Sequence, residues 1–346
     1  MRPARPGPAS TTGLAHRMRS NQRKERTSMG VLDGRVVVIT GGAGGLGRAY
    51  SRALARDGAQ VVINELHGGS TSAAEVLRAE IVEAGGQASV FTGDVSDWSI
   101  AEQLVNHAVD AHGDLHVVVN NAGFLRDSML ATMTEQEFDD VVGVHLKGTF
   151  NVSRHASAYW RAASKEGRRR DRSMINTTSG SALHANPGQA NYAAAKAGIV
   201  ALTQVAAKEL HRHGVRANCI APVARTGMTT AVPALSQGAE GPEGFDRFDP
   251  ANVSPLVQLL ARPTCRFSGH VFRVTGGRLG VYRSWHLAEE FHSDTSWTVD
   301  ELDDLVKDLD AMPHSEIPWH DGVRSHRETP VSLAHEGRAS GAGPNR

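Results

Sequence analysis

The chain has 346 residues, 40% of them hydrophobic, enough for one sizeable core plus tails. Lys+Arg and Asp+Glu balance at 37 each, so no overall field directs the chain to nucleic acid or to an acidic surface, and no apolar run approaches the roughly 18 residues that span a bilayer. Cys219 and Cys265, the two cysteines, give no framework for disulfides or zinc and imply a reducing, cytoplasmic setting.

Residues 1–29 are rich in Arg, Pro, Ser and Thr, with Glu25 as the one acid. They lack the apolar segment of a secretory signal and are expected to form a disordered tail, Met29 being a second candidate start. Arg35–Thr40 is a short β-branched run, the pattern of a buried parallel strand. Gly41-Gly42-Ala43-Gly44-Gly45-Leu46-Gly47 follows at once, then a helix over Arg48–Asp57 closed by Gly58, then a second strand ending at Asn64. In such a βαβ unit, small residues at the first turn let backbone N–H groups approach a pyrophosphate at the helix N-terminus. Glu65 stands 20 residues past Gly45, where a carboxylate can bind a ribose 2′-hydroxyl. A tight turn without ligand is the alternative reading of the glycines.

Strands are expected near 35–40, 60–64, 88–93, 116–120, 173–178, 215–220 and 270–274, alternating with helices. This pattern predicts an α/β fold, a doubly wound, mostly parallel sheet of the Rossmann type, as a single domain over 30–280. A C-terminal extension over 281–312 carries Val299, Leu302, Leu305, Val306 and Leu309 at helical spacing, an amphipathic helix over Thr298–Met312. Residues 313–346 are expected to be a second disordered tail.

Three further stretches bear on chemistry. Tyr192 and Lys196 are four apart on an expected helix over Asn191–His213, with Ala195, Ile199, Leu202, Ala206 and Leu210 on its core side. An ammonium beside a phenol favours the phenolate. Moving a tyrosine from about 10 to about 7 takes roughly 4 kcal/mol, and a phenol so tuned can exchange a proton with a hydroxyl near neutral pH. Ser179 lies 13 residues before Tyr192. Lys165–Arg172 holds five basic residues, either a solvated loop or an attraction for an anionic substrate tail. The 17 histidines show no ligand spacing, so no metal is expected, and surface or capping roles are read for nearly all.

Together these residues resemble the short-chain dehydrogenase/reductase family over roughly Val31 to Gly280. Thr40, Gly41, Gly45, Leu46 and Gly47 fall in its cofactor signature. Asp94-Val95 is similar to its adenine-contacting pair, and Asn120-Asn121-Ala122-Gly123 to its NNAG motif. Ser179, Tyr192 and Lys196 match its catalytic triad. Asn218–Pro222 resembles its N-x-I-x-P-G segment, with Val223 where Gly is usual, which leaves the backbone after the sixth strand open. Within the family, Asn64–Leu66, Gly123–Asp127, Val144–Gly148, Gly188–Tyr192 and Gly269–Gly277 resemble the (3R)-hydroxyacyl-CoA dehydrogenase branch, the dehydrogenase part of multifunctional enzyme type 2 and its bacterial relatives. Many family members carry Asn where this chain has His145, and the branch shares the His.

The resemblance implies NAD as cofactor and oxidoreduction between a secondary alcohol and a ketone, with a (3R)-3-hydroxyacyl-CoA thioester as substrate. It implies that Ser179 bonds the substrate oxygen and Tyr192 transfers the proton. Lys196 lowers the Tyr192 pKa and holds the nicotinamide ribose, and Thr226 touches the carboxamide. Asn121 is read as stabilising the sheet beside the cofactor. His145 either anchors a proton-relay water or makes a structural hydrogen bond that straightens its helix. Residues 223–252 are expected to face the substrate as a mobile lid, and a homodimer or homotetramer is implied. A hydroxysteroid dehydrogenase, a 3-oxoacyl-carrier-protein reductase and a non-catalytic dinucleotide sensor are the alternatives. Glu65 weakens the second of these, and the intact Tyr192–Lys196 pair weakens the third.

Overall fold

The computed structural model describes residues 30–228, 244–283, 296–302 and 304. The described residues group into two units, 30–283 and 296–304. In the first, eight strands form one sheet in the order β3-β2-β1-β4-β5-β6-β7-β8. They are β1 (Val36–Ile39), β2 (Gln60–Glu65), β3 (Gln87–Thr92), β4 (Val117–Asn120), β5 (Arg172–Thr177), β6 (Val215–Pro222), β7 (Val271–Thr275) and β8 (Arg278–Tyr282). The first seven pair in parallel. β8 runs antiparallel to β7 and was not anticipated. Its signal is the two-residue turn Gly276-Gly277 between apolar runs, with Gly276 at φ 51°.

The strands read as continuous apolar runs because both faces are covered. Successive side chains point to opposite faces, so β1 splits its residues between two cores. Val37 and Ile39 pack on one side with Tyr50 and Leu54 of α1 (Gly45–Arg56) and with Leu77 and Ile81 of α2 (Ala73–Glu83). Leu256, Val257 and Leu260 of α8 (Ser254–Ala261) complete that side. Val36 and Val38 face α3 (Trp98–His112), α5 (Thr149–Lys165) and α7 (Ala190–Leu210), through Leu104, Trp160 and Leu210. Each such fully buried Val or Leu contributes about 1.5–3 kcal/mol.

α4 (Glu135–Val142) opens on a capping box between Thr134 and Glu137 and leads through a π-helical stretch, Gly143–Gly148, into α5. On α7, Ala195, Ile199 and Leu210 are buried as expected, whereas Leu202 and Ala206 are half-buried and Thr203 and Ala207 take the inner positions. The helix ends at His211–His213 before Gly214, at φ 79°.

The basic stretch Lys165–Arg172 precedes β5 and so lies at the end of the sheet opposite Ser179. Its last member, Arg172, is buried and pairs with Asp114 at 2.8 Å. Among the described residues His116 and His155 are buried, contrary to a surface role, and His145, read as a relay or structural residue, is buried too. His116 Nδ1 accepts the Val36 N–H at 3.1 Å, so it serves the sheet.

In the second unit, 299–302 and 304 are helical, and Thr298 and Glu301 cap the start reciprocally. The rest of the expected helix to Met312 lies outside the described residues, as do 1–29, 313–346 and the middle of the expected lid, 229–243.

Candidate active site

The expected site residues converge at the C-terminal ends of the strands, around the switch in strand order between β1 and β4. The glycine turn follows β1. Gly41 and Gly45 take φ of 59° and 47°, a left-handed backbone that L side chains resist. A Cβ on Gly47 would lie 2.1 Å from the Gly41 carbonyl oxygen, so glycine is required there. Leu46 packs against the core beneath. Thr226, just beyond β6, lies over the turn, its Cβ 3.3 Å from where a Cβ on Gly45 would be.

The ends of β1 and β4 are cross-locked. Thr40 Oγ1 accepts the backbone N–H groups of Asn121 and Ala122 at 2.9 and 3.0 Å. Asn121 Nδ2 donates back to the carbonyls of Thr40 and Gly41, both at 3.2 Å. Each such bond contributes about 0.5–1.5 kcal/mol net, and together they hold the floor of the cleft.

Glu65 closes β2, and its carboxylate accepts the Ala74 N–H at the start of α2 at 3.0 Å. Asp94 and the buried Val95 follow β3. Asp94 accepts the Ser96 N–H at 2.8 Å. Asn151 of α5 donates to the carbonyls of Val95 and Ser96, and Asn64 to those of Phe91 and Gly93. Asn64 and Asn151 are therefore positioning residues that the motifs alone did not reveal.

Ser179 follows β5. Lys196 is buried on α7, and its Nζ donates to the Thr177 carbonyl at 2.6 Å, 5.5 Å from the centre of the Tyr192 ring. Burial draws the Lys196 ammonium down to about 7. Three influences act on the Tyr192 hydroxyl. Burial raises its hydroxyl above the ordinary phenol value, Asp127 adds to the rise, and a hydrogen bond with Ser179 opposes it. The triad residues are brought together, but the protein alone keeps the phenol protonated.

His145 sits in the π-helical stretch, a feature frequent at functional sites. Its ring meets that of Tyr192 edge-on, 5.1 Å between centres. Its Nε2 lies 2.7 Å from the Phe124 carbonyl and 3.1 Å from the Phe124 N–H. The bond therefore crosses to the segment after β4 instead of running along its own helix, and that helix is widened, not straightened. Nδ1 is buried without a hydrogen-bond partner among the described residues. Burial, then Lys196, pushes this imidazole down to about 3, so it is neutral at physiological pH.

Val223, which stands where the family usually has Gly, donates its N–H to the Val274 carbonyl at 2.9 Å, so pairing with β7 simply continues past β6. Arg225 pairs with Asp246 at 2.8 Å, joining the two ends of the stretch that lies outside the described residues. No group of metal-ligating side chains occurs among the described residues.

A family model described as short chain dehydrogenase matches residues 35–235. The chain is 42% identical to hydroxyacyl-CoA dehydrogenase ChsB1 of Mycobacterium tuberculosis, over 84% of this chain and 92% of that protein. It is 39% identical to peroxisomal multifunctional enzyme type 2 of Mus musculus over 72% of this chain, and spans 33% of that longer protein. A crystal structure of a short chain dehydrogenase from Mycobacterium avium is similar with a TM-score of 0.75 at 46% identity, covering 81% of this chain and 96% of that one. An open glycine cradle and a Ser-Tyr-Lys set at the switch point define an oxidoreductase that uses a nicotinamide dinucleotide. The chain belongs to the short-chain dehydrogenase family.

Proposed function

We propose that the chain is an NAD-dependent (3R)-3-hydroxyacyl-CoA dehydrogenase, oxidising the 3-hydroxyl of an acyl thioester in fatty-acid or steroid side-chain β-oxidation. The observation that carries this reading is the meeting of Ser179, Tyr192 and buried Lys196 beside a glycine cradle, in a chain similar nearly throughout to a named hydroxyacyl-CoA dehydrogenase.

When bound, the nicotinamide ring supplies the hydride acceptor. Thr40, Gly41, Gly45, Leu46 and Gly47 would hold the pyrophosphate end, Glu65 the adenosine ribose, and Asp94 and Val95 the adenine. Asn121, Ala122, Gly123 and Thr226 line the nicotinamide side. Ser179 Oγ donates to the substrate oxygen, where charge develops. The Tyr192 phenolate, which the positive nicotinamide charge of bound NAD would favour, then takes the proton from that oxygen at its Oη. Lys196 Nζ would bond the nicotinamide ribose, and the unpartnered Nδ1 of His145 would accept from a relay water. Glu65 favours NAD because its carboxylate would oppose a 2′-phosphate, and Gly41–Gly47 and Asn64–Ser70 contain no Lys or Arg. The free, buried Cys219 and Cys265 support a cytoplasmic setting, and self-association through α7 into a homodimer or homotetramer fits its exposed Val205.

The test is NADH formation with matched (3R) and (3S)-3-hydroxyacyl-CoA thioesters, alongside free hydroxysteroids and sugars. A preference for the (3R) thioester is expected. Preference for (3S), or for a free hydroxysteroid over both thioesters, overturns the reading.

A further inference from the structure

A polar array reaches Ser179 from outside the Ser-Tyr-Lys set. Asp127, on the segment after β4, accepts from Gln189 Nε2 at 3.0 Å. Gln189 Oε1 accepts the Ser181 hydroxyl at 2.8 Å. Asn186 Nδ2 donates to both, at 2.9 Å to Ser181 Oγ and 3.1 Å to Gln189 Oε1. Ser181 then meets Ser179 twice. Its backbone N–H donates to Ser179 Oγ at 3.2 Å, and the two hydroxyl oxygens are 3.4 Å apart.

Proton counting gives this array a direction. A serine hydroxyl has one proton and two acceptor sites. The Ser181 proton is committed to Gln189 over a short bond. Between the two serines, Ser179 must therefore be the donor, over a long and weak contact that is readily exchanged. One acceptor site of Ser179 is occupied by the Ser181 N–H. Ser179 also hydrogen-bonds Tyr192, so its one proton is shared between Tyr192 and the weak contact to Ser181 and is open to a stronger acceptor such as a substrate oxygen.

Two further features indicate that the loop is held on purpose. Ala185 adopts φ 50°, the one non-glycine residue with positive φ among those described, and such backbone persists where neighbours over-determine it. Ser181 itself is 7% exposed, so its hydroxyl cannot lean on solvent.

We propose that Ser181 and Gln189 are positioning residues that orient the Ser179 hydroxyl as a donor toward the reacting oxygen of the substrate. The proposal rests on the reading of Ser179 given under Proposed function. It needs no contact of either residue with substrate or cofactor.

The test is a double-mutant cycle on the full chain, with a (3R)-3-hydroxyacyl-CoA and NAD as the assay pair. Ser181→Ala and Gln189→Leu should each lower kcat roughly tenfold, within the range that small misplacements of a catalytic group produce. KM for NAD should stay within about twofold, and Ser181→Thr, which keeps the hydroxyl, should recover most of the rate. In a Ser179→Ala background, adding Ser181→Ala or Gln189→Leu should cost less than about twofold, since the residue they act through is gone. Losses of equal size in both backgrounds, or a wild-type kcat in the single variants, overturn the proposal. A wild-type kcat in Ser179→Ala alone overturns the underlying reading of Ser179 and the proposal with it, and is recognised before any second substitution is made.

Discussion

His145 fills the space that a side chain at residue 123 would need. A Cβ on Gly123 would sit 2.0 Å from His145 Cε1 and 2.6 Å from Nδ1. With the imidazole in this position, residue 123 has to be glycine. Gly123→Ala should destabilise by about 1–3 kcal/mol through overpacking. At about 2–4 °C per kcal/mol for a domain of this size, the melting temperature should fall by several degrees. His145→Ala should absorb much of that loss when the two changes are combined. Strictly additive losses would show that the two sites do not press on each other.

The same geometry separates two roles for His145. Asn can accept and donate toward Phe124 and a water, while Ala can do neither. His145→Asn should keep much more turnover than His145→Ala, with both variants folded. Equal losses would count against a relay through this position.

Tyr192 is held protonated by burial, and each of the four tyrosines, Tyr50, Tyr159, Tyr192 and Tyr282, is shifted upward. Ultraviolet titration of the protein alone should thus show no phenolate forming near neutral pH. Added NAD brings a positive ring charge, which favours the phenolate. One tyrosine should then ionise at lower pH, and Tyr192→Phe should abolish that signal. Tyr192→Phe should also cut turnover at least 10²-fold while NAD still binds. A phenolate near pH 7 without NAD, or turnover near wild type in the variant, would refute the assignment.

Glu65 has two tasks that can be pulled apart. Its carboxylate accepts the Ala74 N–H, so Glu65→Ala removes a helix-start partner and should cost roughly 0.5–2 kcal/mol of stability. Glu65→Gln keeps an acceptor and removes the charge. Both variants should move the kcat/KM ratio toward NADP. A wild type that prefers NADP, or a ratio unchanged in both variants, would remove Glu65 as the selector.

Among the described residues burial depresses five histidines, His116 to about 4, His145 to about 3, and His112, His155 and His213 in the same direction. Below the ordinary histidine value near 6.5, the unfolded chain takes up a proton at each site before the folded one does. Stability from this source is therefore complete above about pH 6.5 and falls as pH drops toward 4, by about 1.4 kcal/mol per pH unit for each of His116 and His145. Denaturant midpoints measured from pH 7 to pH 4 should decline, and less steeply in His145→Asn. An identical slope in wild type and variant would show that His145 does not contribute.

The primary sequence by itself determined the local chemistry. Short β-branched runs such as Arg35–Thr40 declare buried strands because both faces of a parallel sheet are covered, and all seven expected strands end within two residues of the observed ones. The glycines after β1 were legible because only glycine fits at Gly47. The Tyr192–Lys196 pair was legible because helical spacing is fixed by the backbone. Tertiary structure alone decided what those groups experience. The direction of the Tyr192 shift depends on burial, on Ser179 and on Asp127, 65 residues away in the chain. The Lys196 ammonium turns to Thr177, and His145 bonds a backbone 21 residues earlier. Ser181 and Gln189 carry no motif, and their bearing on Ser179 exists only where three loops meet. Desolvation and hydrogen bonding act through space, and spacing along a chain encodes neither until the chain is folded.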